Sequence, residues 1–301
     1  MMEVQALKNE RIQEFINYCK KHRHEVDESY LYDEDLDAFQ LNHENPTYVG
    51  INGQGNMVAA VSLIIDDYNR RGKRARFRIF HSEIEGFAYY NLLMKAILLH
   101  TGGLDNVYLF VPIINKQLMN DIKQLHFTIE RYSYFLVRDQ RDVPAYNFPE
   151  GYTIRPFQPD MDEEVWCDVR NAGFAKLKGS ETPITPENVK KMIAENEYIE
   201  GGMMILYDQD RPIGIVKGEK DDYEGFPAMN IGPLAIIPDY QGKGLGRCLL
   251  RASLQFAKEK SYTRTTLCVN AENERAKSLY IQEGFKQVEA VACFHYDLTN
   301  E

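Results

Sequence analysis

The chain is 301 residues long and 44% hydrophobic, with 20 glycines and 12 prolines, a composition that excludes collagen-like, low-complexity and disordered classes. At roughly 150 residues per domain the length suggests two domains, each able to bury a core. The 35 basic residues against 45 acidic ones leave a net charge of −10, which argues against general binding to nucleic acid or anionic membrane, because both need clustered positive charge.

The acidity is unevenly shared. Residues 1–148 carry 17 basic and 20 acidic groups, and residues 149–301 carry 18 and 25. The second half would suit a cationic or amine partner, although surface acidity also serves solubility alone. The start, MMEVQALKNERIQEF, has charges where a signal peptide needs an apolar stretch, and no apolar run long enough for a membrane span occurs. A cytoplasmic protein is expected. Cys19, Cys167, Cys248, Cys268 and Cys293 form no C-x-x-C pair, so they read as small buried residues rather than as a disulfide framework or a zinc site. His22 and His24 lack an acidic partner at ligand spacing and read as a solvated helix end, so no metal is expected.

In chain order, Ile12, Phe15, Ile16 and Cys19 recur at helical spacing. Strands follow at 47–51, 57–65 and 73–80, the last alternating Arg74, Arg76 and Arg78 with apolar residues, which reads as a solvated hairpin with a basic face. A helix over 87–100 would bury Leu92, Leu93, Ala96 and Leu99. A strand at 107–111, a helix at 117–125 and a strand at 129–137 lead to a polar, proline-bearing linker over 138–151. The second half repeats this order: a strand at 152–155, helices at 161–175 and after Thr185-Pro186, strands at 203–207, 212–220 and 229–237, a helix over 244–260, a strand at 264–269, a helix at 274–283 closed by Gly284, and a last strand ending near Asp297.

The halves overlay. Leu109-Phe-Val-Pro-Ile-Ile-Asn115 with Phe127 matches Leu267-Cys-Val-Asn-Ala-Glu-Asn273 with Phe285 at an offset of 158, and Gly86 falls near Gly242 at an offset of 156. An ancient duplication explains this better than two unrelated domains sharing an element order.

The most informative stretch runs from Leu234 to Gly246, where a strand passes through Pro238 and the glycine-rich Gln241-Gly242-Lys243-Gly244-Leu245-Gly246 straight into a helix. Such a turn aims free N–H groups outward at the positive end of a helix dipole, which makes an anion site suited to a pyrophosphate. A turn that only joins strand to helix would account for one glycine, not three. The spacing matches neither the G-x-x-x-x-G-K-[ST] nor the G-x-G-x-x-G phosphate motif.

At these residues the chain resembles the GNAT superfamily of acyl-CoA-dependent N-acetyltransferases, whose pyrophosphate loop reads Q/R-x-x-G-x-G/A; Gln241, Gly244 and Gly246 match it. The resemblance covers roughly 151–298 and includes Asn-Ala-Glu-Asn-Glu-Arg-Ala-Lys-Ser-Leu-Tyr at 270–280. It implies an α/β fold of two tandem GNAT-like domains, each a mixed, mainly antiparallel sheet flanked by helices: a degenerate one over 1–140 and a catalytic one over 150–301 binding acetyl-CoA as cosubstrate. It further implies that Leu234, Ala235 and Ile236 meet the pantetheine, that Gln241, Gly242, Lys243, Gly244, Leu245 and Gly246 hold the pyrophosphate, and that Asn273 lies beside the pantetheine arm. Tyr280 stands where the family commonly has a tyrosine that protonates the departing thiolate, a role that suits a phenol protonated at neutral pH; a core aromatic on a short helix is the alternative for it. The implied reaction is direct attack of an amine on the thioester. The glutamate base of histone-modifying members is replaced here by Asn230, leaving Glu219, Asp221, Asp222 and Glu224 as candidate bases, of which Glu219 is taken first.

In the first half, the overlay puts Ala88, Tyr89 and Tyr90 approximately where the second has Gly244, Leu245 and Gly246, and Ile122 in place of Tyr280. No CoA binding or catalysis is expected there; its expected role is to complete the acceptor pocket or brace the second domain. Tandem members such as the mycothiol synthases are similar in this organisation, but nothing in the sequence specifies their substrate. The expected activity is acetyl transfer to a primary amine of a small molecule, with a non-catalytic acyl-CoA sensor or a protein N-acetyltransferase as alternatives. Phe174, Tyr223 and Phe226 are candidate pocket residues. The oligomeric state is not legible.

Overall fold

The structure, a computed structural model, describes residues 2–139 and 142–299. Gln140 and Arg141 of the expected linker, and Met1, Asn300 and Glu301, lie outside the described residues. The chain divides into two compact units: Met1–Ser133 with Ala290–Glu301, and Tyr134–Glu289.

The first unit runs β1 (Glu3–Ala6), α1 (Ile12–His22), α2 (Asp33–Asp37), β2 (Thr47–Ile51), β3 (Met57–Ile64), α3 (Asp67–Arg71), β4 (Arg74–Ser82), α4 (Phe87–Ile97), β5 (Asn106–Pro112) and α5 (Lys116–Gln124). Strands β1 to β4 pair antiparallel in sequence order, and β4 pairs parallel with β5 from Arg74↔Asn106 to Arg76↔Tyr108. Its core joins Phe15 and Cys19 of α1 to Leu93 and Ile97 of α4 and to β3, whose eight residues are all buried. A strand buried on both faces needs no alternation, which is why its sequence reads as one apolar run.

The second unit runs β7 (Tyr152–Pro156), α6 (Glu163–Phe174), α7 (Pro186–Ala194), β8 (Tyr198–Asp208), β9 (Arg211–Tyr223), β10 (Phe226–Ile236), α8 (Leu245–Glu259), β11 (Thr265–Asn270) and α9 (Glu274–Gln282). Strands β7 to β10 are antiparallel and β10 pairs parallel with β11. Consecutive residues face opposite sides of this sheet. Ile205, Ile215 and Ala235 pack with Trp166 and Val169 of α6 and Val189 of α7, while Leu206, Val216 and Ile236 pack with Leu245, Leu249 and Leu254 of α8 and Tyr280 of α9. Thr185 and Asn188 close α7 with a reciprocal capping box.

The unit boundaries depart from the expected 140 and 150. They fall inside strands, because β6 (Thr128–Arg138) and β12 (Lys286–Asp297) each begin in one unit and end in the other. The first unit's β5 takes residues 291–297 of β12 as its antiparallel neighbour, Val291↔Pro112 to Asp297↔Asn106, and in the second unit residues 134–138 of β6 lie beside β11. Each half of the chain thus supplies the last strand of the other's sheet. A polar linker marks where regular structure lapses, and compact contact sets need not divide there.

Four further expectations need correction. Leu92 and Leu99 are 44% and 78% exposed, and α4 instead buries Tyr90, Leu93, Met94 and Ile97. Cys268 is exposed and Cys248 half-buried, because Cys268 is the outward residue of an otherwise buried stretch of β11. The arginines of β4 are not a solvated face: Arg78 is buried, donating to the Tyr30 carbonyl at 3.1 Å and to Asn45 Oδ1 at 3.0 Å, and Arg76 pairs with Asp27 beneath the Tyr30 and Phe110 rings. His22 is buried rather than solvated. Among the described residues no helix is long and apolar enough to cross a membrane.

Candidate active site

The site begins where β10 gives way to α8. Gly242 and Gly244 hold φ of +87° and +80°, the left-handed region that strains any side chain, and Gly244 is the residue before the first turn of α8. This geometry turns successive N–H groups to one side. Among the described residues, the amides of 242–246 donate to no protein acceptor, whereas those of Arg247 and Cys248 already bond the Gly244 carbonyl. Five unengaged donors at a helix N-terminus present partial positive charge to an anion. Gly246 differs from the other two: a Cβ there would meet nothing closer than Leu234 and Ile236 at 3.9 Å, so packing does not require glycine at this position.

The side chains of the loop divide their work. Gln241 Nε2 donates to the Ile236 carbonyl at 2.8 Å and so ties the loop to the end of β10. Lys243 Nζ stands 4.5 Å from the centroid of the Tyr240 ring, and the Tyr240 hydroxyl donates to Asp208 at 2.8 Å. Arg275, in the first turn of α9, reaches within 3.2 Å of where a Gly242 Cβ would stand. This cation beside the loop was missed in sequence because it lies outside the glycine motif.

The strand that feeds the loop is interrupted. Its register with β9 shifts between Ile231 and Leu234, and its parallel ladder with β11 is confined to Met229↔Thr265 and Asn230↔Thr266, although both strands continue. Leu234, Ala235 and Ile236 remain paired on the β9 side only. The parted strands leave main-chain groups available to an extended ligand, and a bulge is a common way to redirect them.

Tyr280 lies on α9 with 9% exposure, edge-on to Phe285. Burial pushes its phenol up to about 12, so at neutral pH it is a proton donor. Its hydroxyl makes no hydrogen bond to another described residue. Asn273 caps the same helix, accepting from the Ala276 amide at 3.1 Å.

Of the acidic candidates, Glu219 is ion-paired with Lys217. Asp221, two residues along β9, is held above the usual carboxylate range by burial, which outweighs the hydrogen bond it accepts from Thr266 Oγ1 at 2.5 Å. Asn230 donates to the same threonine at 3.2 Å, so this network sits where the β10 and β11 ladder ends. Asp222 lies near the end of β9 and Glu224 in the following turn, where Glu224 faces Arg264 at 3.5 Å. Tyr223 and Phe226 gather around Arg264, with Phe226 63% exposed, whereas Phe174 lies apart under Arg170.

The first unit repeats the frame without the site. Asn115 caps α5 as Asn273 caps α9, and Phe127 and Phe285 are both buried. Gly86 precedes α4 with φ +117° and so corresponds to Gly244 at the offset of 158, not to Gly242 at 156. Phe87 and Ala88 therefore replace Leu245 and Gly246. The strand-to-helix connection is residues 83–86 in the first unit against 237–244 in the second, four residues against eight. The overlay at 156 averaged two offsets on either side of this shortened loop.

Residues 166–285 match the Acetyltransferase (GNAT) family. The chain is similar to mycothiol acetyltransferases, with 29% identity over 158 residues to that of Renibacterium salmoninarum, covering 51% of this chain and 46% of the relative. To that of Pseudarthrobacter chlorophenolicus it is 28% identical over 167 residues, covering 52% and 51%. The chain spans about half the length of these curated relatives. Among solved structures, a GCN5-related N-acetyltransferase from Sphaerobacter thermophilus superposes with a TM-score of 0.71 at 16% identity, covering 98% of this chain and 95% of that one. A tandem GNAT protein from the clavulanic acid biosynthesis pathway gives 0.71 at 12% identity, covering 99% and 98%. The solved structures share the fold, and by the family match residues 166–285 constitute an acetyltransferase domain of the GNAT family.

Proposed function

We propose that the second unit transfers an acetyl group from acetyl-CoA to the primary amine of a small molecule. What carries this reading is the combination, in one unit, of five unengaged amides at the start of α8 and a buried phenol whose hydroxyl has no protein partner. The ring is buried but the hydroxyl is not among the fully buried polar atoms left without a partner, so it opens onto accessible space. There the thiolate leaving group would meet it.

The amides of 242–246, the α8 dipole and Arg275 would hold the pyrophosphate, and the backbone of Leu234–Ile236 would align the pantetheine. The neutral amine attacks the thioester carbon, and the oxyanion is stabilised by a strand N–H in the same segment. The carbon–sulfur bond breaks, Tyr280 gives its proton to the sulfur, and the nitrogen's surplus proton passes to a carboxylate. Asp221 is the stronger candidate for that base, because a raised pKa matches it to the task, while Glu219 is engaged by Lys217. The first unit, lacking the long loop and with Ile122 in place of the phenol, contributes no second centre.

The name of the curated relatives places mycothiol chemistry in the panel of acceptors. Release of free thiol from acetyl-CoA should depend on the amine, screened across thiol-bearing amines, aminoglycosides, polyamines, amino acids and peptides. Tight acetyl-CoA binding with no release from any acceptor would favour a sensor instead. Release driven by peptides alone would favour a protein N-acetyltransferase.

A further inference from the structure

The first unit contains a side-chain cluster with no part in acetyl transfer. His22 ends α1, Glu25 lies in the 3-10 turn that follows, and His81 comes from β4; one donor atom from each lies within 4.8 Å of the other two. The geometry points to a three-ligand site for a divalent first-row metal, zinc by ligand type, on His22 Nδ1, His81 Nε2 and the Glu25 carboxylate.

The argument rests on the far side of each imidazole. His22 Nε2 is 2.8 Å from Glu83 Oε1, which Lys21 Nζ also contacts at 2.7 Å, so Glu83 is an ionised acceptor and the proton on that ring belongs on Nε2. His81 Nδ1 is 2.7 Å from the Tyr18 hydroxyl. That hydroxyl donates to the Val58 carbonyl at 3.1 Å, so it accepts from His81, and the proton on that ring belongs on Nδ1. With one proton per ring on these outer nitrogens, both inner nitrogens face the same carboxylate with a lone pair: His22 Nδ1 to Glu25 Oε1 at 2.7 Å, and His81 Nε2 to Glu25 Oε2 at 3.2 Å. An electropositive atom must then lie between each nitrogen and the carboxylate, either a second proton on the ring or a shared metal ion. Metal-bound histidines characteristically donate their other N–H to a carboxylate or similar acceptor, which fixes tautomer and orientation.

The remaining geometry fits. Donors around tetrahedral zinc at about 2.0–2.1 Å stand about 3.3 Å apart; the His81–Glu25 contact at 3.2 Å meets this, and the His22–Glu25 contact at 2.7 Å would open slightly around an ion. The rings stack at 4.3 Å and 27°. Asn115 Nδ2 donates to the Glu25 carbonyl at 3.0 Å and steadies the turn. The histidine side chains are 6% and 7% exposed and Glu25 57%, so a metal reaches the site from the glutamate side. Two histidines and one carboxylate leave a four-coordinate zinc one position for water. Such an ion would pin the end of α1 to β4. Sequence spacing concealed the set because His81 arrives from another element.

The test is zinc titration of the chelator-stripped full chain, with an indicator competing for the metal and cobalt(II) as spectroscopic probe. The expected result is one saturable equivalent, tetrahedral cobalt bands without thiolate charge transfer, and a rise in Tm with zinc. Glu25→Gln, at an exposed position, should weaken binding at least tenfold. His24→Gln, 77% exposed and outside the set, should leave binding unchanged. Absence of a saturable equivalent, thiolate bands, or equal affinity in Glu25→Gln would overturn the assignment; the first reading means that protons alone bridge these groups.

Discussion

Gly86 and Gly244 occupy the same place in their respective units: each precedes the helix that follows the parallel central strand, each has positive φ, and they are separated by 158 residues. What differs is the connection before them. The second unit has the long loop with Gly242 and Lys243, whereas the first closes the gap with Glu83, Ile84 and Glu85. Two carboxylates beside a shortened turn would repel phosphates. Isothermal titration should therefore give one acetyl-CoA per chain; two equivalents would show that the first unit binds as well.

Gly246 separates ligand binding from folding. Because a Cβ at this position meets only ordinary contacts, Gly246→Glu should leave stability within about 1 kcal/mol, helped by the better helix propensity of Glu. Its charge would nevertheless oppose the pyrophosphate. Acetyl-CoA affinity should fall at least tenfold in a titration, while the denaturation midpoint stays close to wild type.

Asp221 and Glu219 are distinguished by pH. Burial raises Asp221 above its ordinary value, so with Asp221 as base the acid limb of kcat/KM should lie above the usual aspartate range. Asp221→Asn should lower the rate by about a hundredfold and remove that limb, and Glu219→Gln should preserve it. For stability the sign is opposite to that of a salt-bridged carboxylate. A raised folded pKa favours the native state most at pH below the unfolded value, and that contribution is lost as pH rises through the folded value. Asp221→Asn should therefore flatten stability against pH in the acid range.

Glu283 anchors the scaffold that carries Tyr280. Its side chain is fully buried and binds Arg251 through Nε at 2.7 Å and Nη2 at 2.8 Å, together with Arg247 Nη1 at 2.8 Å. Removing one partner of a buried ion pair strands the rest. Glu283→Ala should cost about 3 kcal/mol in chemical denaturation, with a lesser loss for Glu283→Gln.

The local elements were legible where chemistry acts over short range. The Thr185-Pro186 helix start, the apolar stripe of α8 and the glycine-rich turn each declare themselves within a few residues, because caps, helical periodicity and positive φ are local constraints. What escaped depends on long-range pairing. The exchange of β6 and β12, the burial of Arg76 and Arg78 under aromatic rings, and the meeting of His22 with His81 require the finished sheet. The glycine-rich turn before α8 was legible from its glycines, but Arg275 beside it was not, and the engagement of Glu219 by Lys217 emerged only from their placement along β9.

The most direct test of the account compares wild type with Tyr280→Phe in two assays, acetyl-CoA binding by titration and amine-dependent thiol release under single turnover. The hydroxyl has no structural partner to lose, so binding and Tm should be unchanged, while thiol release falls about a hundredfold or more. Equal rates of thiol release in the two proteins would contradict the assignment of Tyr280 as the acid.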